Sequence, residues 1–520
     1  MQSFFNSMSF FPVTLITLPI ITAVIIKFFK NTSAIRLISF VSSSISFLIS
    51  CVLLNVITSE SSFLPIFTAL KSNLFYIDSL SAFMAFLINF IALIITIYSG
   101  EFLINETNAG LLSPRKTPNY YFSIYLFIAS MMLVIFFNNL GLIWASVELT
   151  TLTSAFLVGF YKSRESTEAA WKYLIICTVA IALSLFGVIL LNYSTLAANN
   201  TLCSVDYSFL SLNAAYLNKN LLKLAFVFVL VGYGTKAGLA PMHTWLPDAH
   251  SQAPSPVAGL ESAVLLSCST YALIRFQTII NLAIGSEFTS NLLIFFGIFS
   301  LIVSFPFIVL QNDLKRLLAY SSIEHTGIIY LGLGFGGFTG ILGAFYHIFN
   351  HAILKSMMFL TAGSVIQHYS TKDIFKIKGI FEKNKFLGAV FFLGGLGICG
   401  MPPFGIFFSE FMILIAGLKV KSYITVGLYL MCLTFIFIGF LHHLSRTVFS
   451  HCPEHDNLKY ETPPVSSISD NLHNGQSTVI FGVTSKTAII ILFLISIISG
   501  FYMPESLAAA ISKAASIITK

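Results

Sequence analysis

The sequence predicts an all-α, polytopic membrane protein, and three observations carry that prediction. Hydrophobic residues make up 56% of the 520 positions and charged residues only 9%, against roughly 25% charged in an ordinary soluble domain. Apolar runs of about eighteen residues or more recur from end to end, long enough as helices to cross a hydrocarbon core about 30 Å thick. The basic residues fall unevenly on the two sides once those runs are counted as spans.

Taken in order, the apolar runs give fourteen helices. The first, 9–29, follows an opening with neither a basic n-region nor a small-residue cleavage site, so it is expected to be retained as a membrane helix. Helices 2 to 6 are expected at 35–57, 76–102, 120–138, 140–160 and 171–194, and helices 7 to 11 at 221–240, 256–277, 290–310, 318–336 and 340–366. Helices 12 to 14 follow at 386–418, 423–445 and 485–504. The polar stretch 447–482 is expected to be a cytoplasmic loop rather than a domain, so the chain (1–520) forms a single membrane domain.

With the N-terminus outside, 18 of the 28 Lys and Arg residues fall in cytoplasmic loops and seven outside, while Lys236, Arg275 and Lys355 lie within spans. One missed helix would scramble that bias, so it supports the count and predicts that both termini face outward. The net charge of +7 is largely this topological signal and calls for no nucleic-acid partner. The seven cysteines (51, 177, 203, 268, 399, 432 and 452) show no cluster spacing, which argues against an iron–sulfur or structural metal site.

Two predicted helices carry a charge beside a break. Helix 7 places Lys236 among Gly232, Gly234 and Gly238, five residues before Pro241. A charge at the bilayer centre costs about 2.5–3.5 kcal/mol on insertion scales, so a lysine kept there is expected to have a partner and a task in ion transfer. Helix 12, GAVFFLGGLGICGMPPFGIFFSEFMILIAG, places Glu410 seven residues after Pro403. Gly/Pro-broken helices in two halves of a chain point to an inverted repeat and its ion site; the alternative is two unrelated proline kinks.

Helix 11 carries His347, His351 and Lys355 four residues apart, one polar stripe on an apolar helix. Its HxxxH pair lacks the HExxH glutamate and a third ligand nearby in the sequence, so a proton relay fits better than zinc. The alternative is two histidines satisfied by neighbouring backbone or water. Glu148 is the one acidic residue deep in helix 5. At about 4 Å and an effective dielectric of 20, a carboxylate and an ammonium attract by about 4 kcal/mol, so a movable Glu148 beside Lys236 would load and unload the lysine.

Two GxGxxG matches, 332–337 and 395–400, sit in apolar helices without a preceding strand and are expected to serve helix packing or breaking. No Walker loop, nucleophile elbow or haem attachment motif is present, so the chain is expected to carry no redox cofactor of its own.

The stretches GLAPMHTWLPDAHSQAPSPV, NDLKRLLAYSSIEHTGIIYLGLG, FYHIFNHAILKSMMFLTAGSVI and GMPPFGIFFSEF resemble the antiporter-like membrane subunits of respiratory complex I, of Mrp cation/proton antiporters and of group 4 membrane-bound hydrogenases. The likeness covers nearly the whole chain, and SSIEH with PPFGIFFSEF is most similar to hydrogenase-4 component F. It implies inverted five-helix repeats at helices 4–8 and 9–13, here about 120–280 and 290–446, after three N-terminal helices in 1–105. It also implies Glu148 and Lys236 as the first-half pair, Lys355 as the central lysine, Glu410 as the terminal carboxylate, and His347 and His351 as relay groups. Asp248 and His250 belong to the signature, with Asp248 a loop anchor. Many relatives carry a lysine or histidine on helix 8 where this chain has Ser267; Glu261, two turns earlier, is the substitute on offer.

The resemblance implies a proton-translocating subunit of a redox-driven complex in the inner membrane of a bacterium or archaeon. Its partners would be other membrane subunits, the lipid bilayer and a soluble redox or hydrogenase arm. An Mrp-type Na⁺/H⁺ antiporter subunit and an energy-coupling partner of inorganic carbon uptake are the alternatives.

Overall fold

The computed structural model describes residues 10–59, 66–67, 74–196, 204–450 and 481–519. Among these the regular structure is helical, apart from an antiparallel pairing of β1 (Ile66–Phe67) with β2 (Tyr76–Ile77). The predicted helices 1 to 6 are α1 (Phe10–Ile26), α2 (Thr32–Ser59), α3 (Ser79–Asn108), α4 (Thr117–Phe136), α5 (Leu140–Val158) and α6 (Arg164–Leu196), followed by the short α7 (Tyr207–Leu212). Predicted helix 7 is split into α8 (Lys219–Ala237) and α9 (Trp245–Gln252). Helix 8 consists of α10 (Ser255–Leu260), a π-helical turn (Glu261–Leu265) and α11 (Leu266–Ile284).

Next come α12 (Glu287–Val309), α13 (Leu314–Phe335), α14 (Gly337–Tyr369) and the short α15 (Ile380–Lys383). Helix 12 is split into α16 (Lys385–Ile398) and α17 (Gly405–Lys419), and α18 (Tyr423–Phe449) and α19 (Val483–Phe501) complete the predicted set. Ten of these helices are long and apolar enough to cross a membrane. The other four predicted spans are present as helices but are short (α1), broken (α16 with α17) or laden with polar groups (α13, α14). Besides the β-pair and the short α7 and α15, one longer element lies beyond the prediction: α20 (Glu505–Thr519) packs back on α2, α3 and α14. Its alternation of small and apolar residues is too short to read as a span. Most of the expected loop 447–482 lies outside the described residues.

Side-chain caps start several helices where the chain enters them. Asp78 forms a capping box with Ser81 at α3, and Asn139, Asn218, Asp313 and Asn384 accept from first-turn amides of α5, α8, α13 and α16. The two breaks are made by glycines. Gly238 ends α8 in the left-handed region at φ +87°, closing its amide onto the Gly234 and Thr235 carbonyls. Gly400 has φ +69°, and a Cβ there would stand 2.0 Å from Glu410 Oε2, so both its backbone and its neighbour require glycine.

Helix contacts repeat in the two halves. In the first, α4 packs on α5, α5 on α6, α6 on α8 and α8 on α11; in the second, α12 packs on α13, α13 on α14, α14 on α17, and α16 and α17 on α18. The same neighbour order in both sets is that of the two five-helix repeats. The apolar length of Ser255–Ile284 is wholly buried, which puts helix 8 at the centre. Close approach in the second half uses the GxGxxG glycines: a Cβ at Gly334 would meet the Ile294 backbone nitrogen at 2.9 Å, and one at Gly397 the Phe404 ring at the same distance.

The third intraspan charge is structural. Arg275 Nη1 and Nη2 donate to Asp78 Oδ2 and Oδ1 at 2.6 and 2.7 Å, and Nη2 also donates to Tyr271 at 2.9 Å. Three tyrosine rings, Tyr76, Tyr207 and Tyr271, surround the guanidinium. This bidentate pair pins the start of α3 to α11 and engages both terminal nitrogens of the arginine.

Candidate functional site

Lys236 lies in the last turn of α8, just before the break, and is fully buried. Its ammonium donates to Thr151 Oγ1 at 2.9 Å and to the Tyr173 hydroxyl, and sits 4.4 Å from the centre of the Tyr173 ring. Tyr173 also shares a 2.6 Å hydrogen bond with Ser154, and its ring packs against Trp245, whose indole nitrogen donates to the Thr235 carbonyl across the break. The lysine is thus caged by α5, α6 and the start of α9. Hydroxyls and π faces hold its charge without fixing a counter-ion.

Glu148, expected as its partner, forms no ion pair with it among the described residues. Its Oε1 accepts from Thr178 of α6 at 2.7 Å, while Oε2 makes no hydrogen bond to the described protein. The reason is geometric: Thr151, one helical turn beyond Glu148 on α5, occupies the position in front of the ammonium. Glu148 stays within electrostatic reach of Lys236, as does Glu261. Glu148 is half-buried, beside an outward face of α5 and α6 lined by Leu149, Leu152, Trp171, Ile175 and Val179.

Between the two halves lie groups that the sequence singled out only as signature or substitute. Glu261 opens the π-helical turn of helix 8 and stands 3.9 Å from His250 Nε2 of α9, both fully buried. A π-bulge inside an α-helix often marks a functional position. Both Glu261 oxygens and both His250 nitrogens lack hydrogen bonds to the described protein. His250 is within electrostatic reach of Lys236, Lys315 and Lys355 alike. Lys315, counted in the sequence among loop lysines, is in fact buried, its ammonium on the Ala253 carbonyl. Ser267 turns its hydroxyl to the Ala263 carbonyl of its own helix. Asp248 is an anchor as expected, joining Lys172 of α6 (3.3 Å) and Arg316 of α13.

In the second half Lys355 of α14 is fully buried, donating to the Leu318 carbonyl at 3.0 Å and to Ser321 Oγ of α13. Glu324, one turn from Ser321, is within electrostatic reach of it. His325 Nδ1 and His347 Nε2 share a 3.0 Å hydrogen bond, and His347 Nδ1 meets Ser409 Oγ at 2.9 Å, next to Glu410 on α17. The His351 ring lies 5.1 Å from that of His325 and has no hydrogen bond to the described protein. Glu324 and Glu410 are within reach of each other's charge.

The structure therefore brings Lys355, His347, His351 and Glu410 into one cluster and adds Glu324 and His325 from α13. It also supplies what the sequence around HxxxH did not show, a third histidine and a carboxylate from other helices. The hydroxyls of Thr151, Ser154, Tyr173, Thr178, Ser321 and Ser409 went unread. Ser and Thr are common on packed membrane helices, so nothing local distinguishes these.

A row of buried acids and bases joining two repeats at broken helices is the arrangement of an ion-handling membrane subunit. Residues 138–437 match the family model described as NADH:quinone oxidoreductase/Mrp antiporter, transmembrane. The chain belongs to this family. It is 36% identical over 341 residues to a hydrogenase-4 component F homolog of Methylacidiphilum infernorum (isolate V4), covering 65% of this chain and 72% of that protein. It is 30% identical over 352 residues to NADH-quinone oxidoreductase subunit N of Desulforudis audaxviator (strain MP104C), covering 68% of each. Two other relatives are matched over only about half of their own length. A chain in the structure of the membrane-bound sulfane sulfur reductase, an archaeal respiratory membrane complex, superposes with a TM-score of 0.82 at 22% identity, covering 98% of both chains, a likeness of fold. This family member is a multi-span membrane protein, and its structural neighbours work as subunits of multi-subunit membrane complexes.

Proposed function

We propose that this chain is the proton-translocating, antiporter-like subunit of a redox-driven complex of hydrogenase-4 or NADH:quinone oxidoreductase type. The observation that carries the reading is the row of titratable groups that starts at the half-buried Glu148 and continues, fully within the protein, through Lys236, Glu261 and His250 to Lys355, Glu324, His325, His347 and Glu410. A lysine held by hydroxyls can give up and regain its proton as carboxylates approach or withdraw, which a permanent ion pair would oppose. Several atoms in the row lack protein hydrogen bonds; buried polar groups of that kind are served by ordered water. In this reading protons enter near Glu148 and Lys236, pass Lys355 and the histidines, and leave by Glu410.

Electron transfer is assigned to a soluble redox or hydrogenase arm, with other membrane subunits and lipid as the remaining partners. The location is the inner membrane, both termini outside. The test is to purify the intact complex through a tag on this chain, identify its subunits, and measure proton uptake by proteoliposomes when the soluble arm is supplied with electron donor. Uptake coupled to turnover supports the reading. Sodium counterflow without any redox subunit would overturn it in favour of Mrp-type exchange, the second activity that the family's description includes.

A further inference from the structure

At the far end of the row, ligand-type side chains converge from three helices. One ligand atom each from His325 of α13, His347 of α14 and Glu410 of α17 lie within 4.8 Å of one another, and all three residues are buried. Neither His325 Nε2 nor Glu410 Oε1 makes a hydrogen bond to the described protein. His347 has one nitrogen on Ser409 and the other in its hydrogen bond with His325 Nδ1, which an ion held between the two rings would replace. An imidazole whose second nitrogen is fixed by an outer hydrogen bond is how metal-ligating histidines are normally held.

We propose that His325, His347 and Glu410 form a binding site for a divalent transition-metal ion of the zinc type, and that a bound ion blocks this end of the proton row. Two imidazoles and one carboxylate with a fourth position open is a zinc ligand set, and it does not suit magnesium or calcium, which take oxygen ligands. Zinc bonds of about 2.0–2.2 Å require ligand atoms roughly 3–4 Å apart, so side-chain rotations of about 1 Å complete the site. Glu324, within electrostatic reach of Glu410, places a second carboxyl group near the site, and a dication bound there would favour the ionised form of both. Lys355 is within electrostatic reach of both ligand histidines, His325 and His347; its ammonium and the metal repel, so the ion competes with the protonated lysine.

The binding half of this proposal stands by itself, whereas the block rests on the proposed proton route. The probe is Co²⁺, whose visible absorption reports coordination, titrated into the purified complex and displaced by Zn²⁺. One Co²⁺ equivalent with a nitrogen/oxygen, four-coordinate spectrum is expected in the wild type, lost in His347→Ala and Glu410→Gln. Ser409→Ala, which removes only the outer hydrogen bond, is expected to weaken affinity roughly 10–100-fold and guards against misfolding of the other two. Zn²⁺ at the same occupancy is expected to stop proton uptake by wild-type proteoliposomes. Equal Co²⁺ binding in the wild type and all three variants, or none in the wild type, overturns the site. If the variants lose pumping yet keep the metal, the site falls and the route stands; if they lose the metal yet keep pumping, the site stands and the block falls with the route.

Discussion

Lys236 Nζ is 2.9 Å from Thr151 Oγ1, one helical turn past Glu148 on the same helix. The lysine is therefore solvated by hydroxyls while its carboxylate stands off on Thr178, an arrangement in which small movements of Glu148 change the field at the ammonium. Lys236→Ala and Glu148→Ala are each expected to lower proton uptake on the order of tenfold or more while the complex still assembles. Proteoliposome uptake with both variants is the measurement, and wild-type pumping in both would sink the first half-route.

Tyr173→Phe isolates the hydroxyl that links Lys236 to Ser154. The ring and its tilted contact with Trp245 are kept, but one buried donor and one acceptor lose a partner, at about 1–3 kcal/mol. Slower pumping with a modest loss of thermal stability is expected. Thr178→Val, which frees Glu148 Oε1, serves as the comparison: if the carboxylate is the moving part, pumping changes without the stability loss seen at Tyr173.

Glu410→Gln keeps size and hydrogen bonding but removes titration, so pumping is expected to fall with normal assembly. Glu410→Lys is expected to retain part of the activity, because the site needs a titratable group more than a particular sign. Gly400→Ala pushes a methyl to 2.0 Å from Glu410 Oε2 and forces the carboxylate away, so it is expected to resemble Glu410→Gln in transport while also costing stability. Should Glu410→Gln pump like the wild type, the outlet lies instead with Glu324 and His325.

The Asp78–Arg275 pair gives a prediction about stability alone. Asp78→Ala leaves a buried guanidinium without its counter-ion and is expected to cost about 3–5 kcal/mol, read as a lower melting temperature of the purified complex. Replacing both residues with apolar ones of similar volume is expected to recover much of that loss.

Topology is tested by labelling. Cysteines at residues 2 and 519 are expected to react with an impermeant reagent added to intact cells, and one at Lys376 is expected to stay protected until the membrane is opened. Reaction of position 376 from outside would refute the orientation.

By itself the sequence determined the solvent and the frame. Low charge and recurrent apolar runs leave only membrane helices, because backbone polar groups in lipid must bond within their own segment. The isolated charges Lys236, Lys355 and Glu410 were legible for the same reason, since each is costly to bury and stands out in an apolar run. Pairings were not legible. Which hydroxyl faces Lys236, that His325 meets His347, that Glu261 approaches His250, and that Arg275 is locked to Asp78 all depend on how helices far apart in the chain rotate against one another. Periodicity fixes a face of one helix, but only packing of all of them decides which faces meet. The amphipathic α20 escaped notice because its stability comes from docking on α2, α3 and α14 rather than from a span's worth of apolar residues.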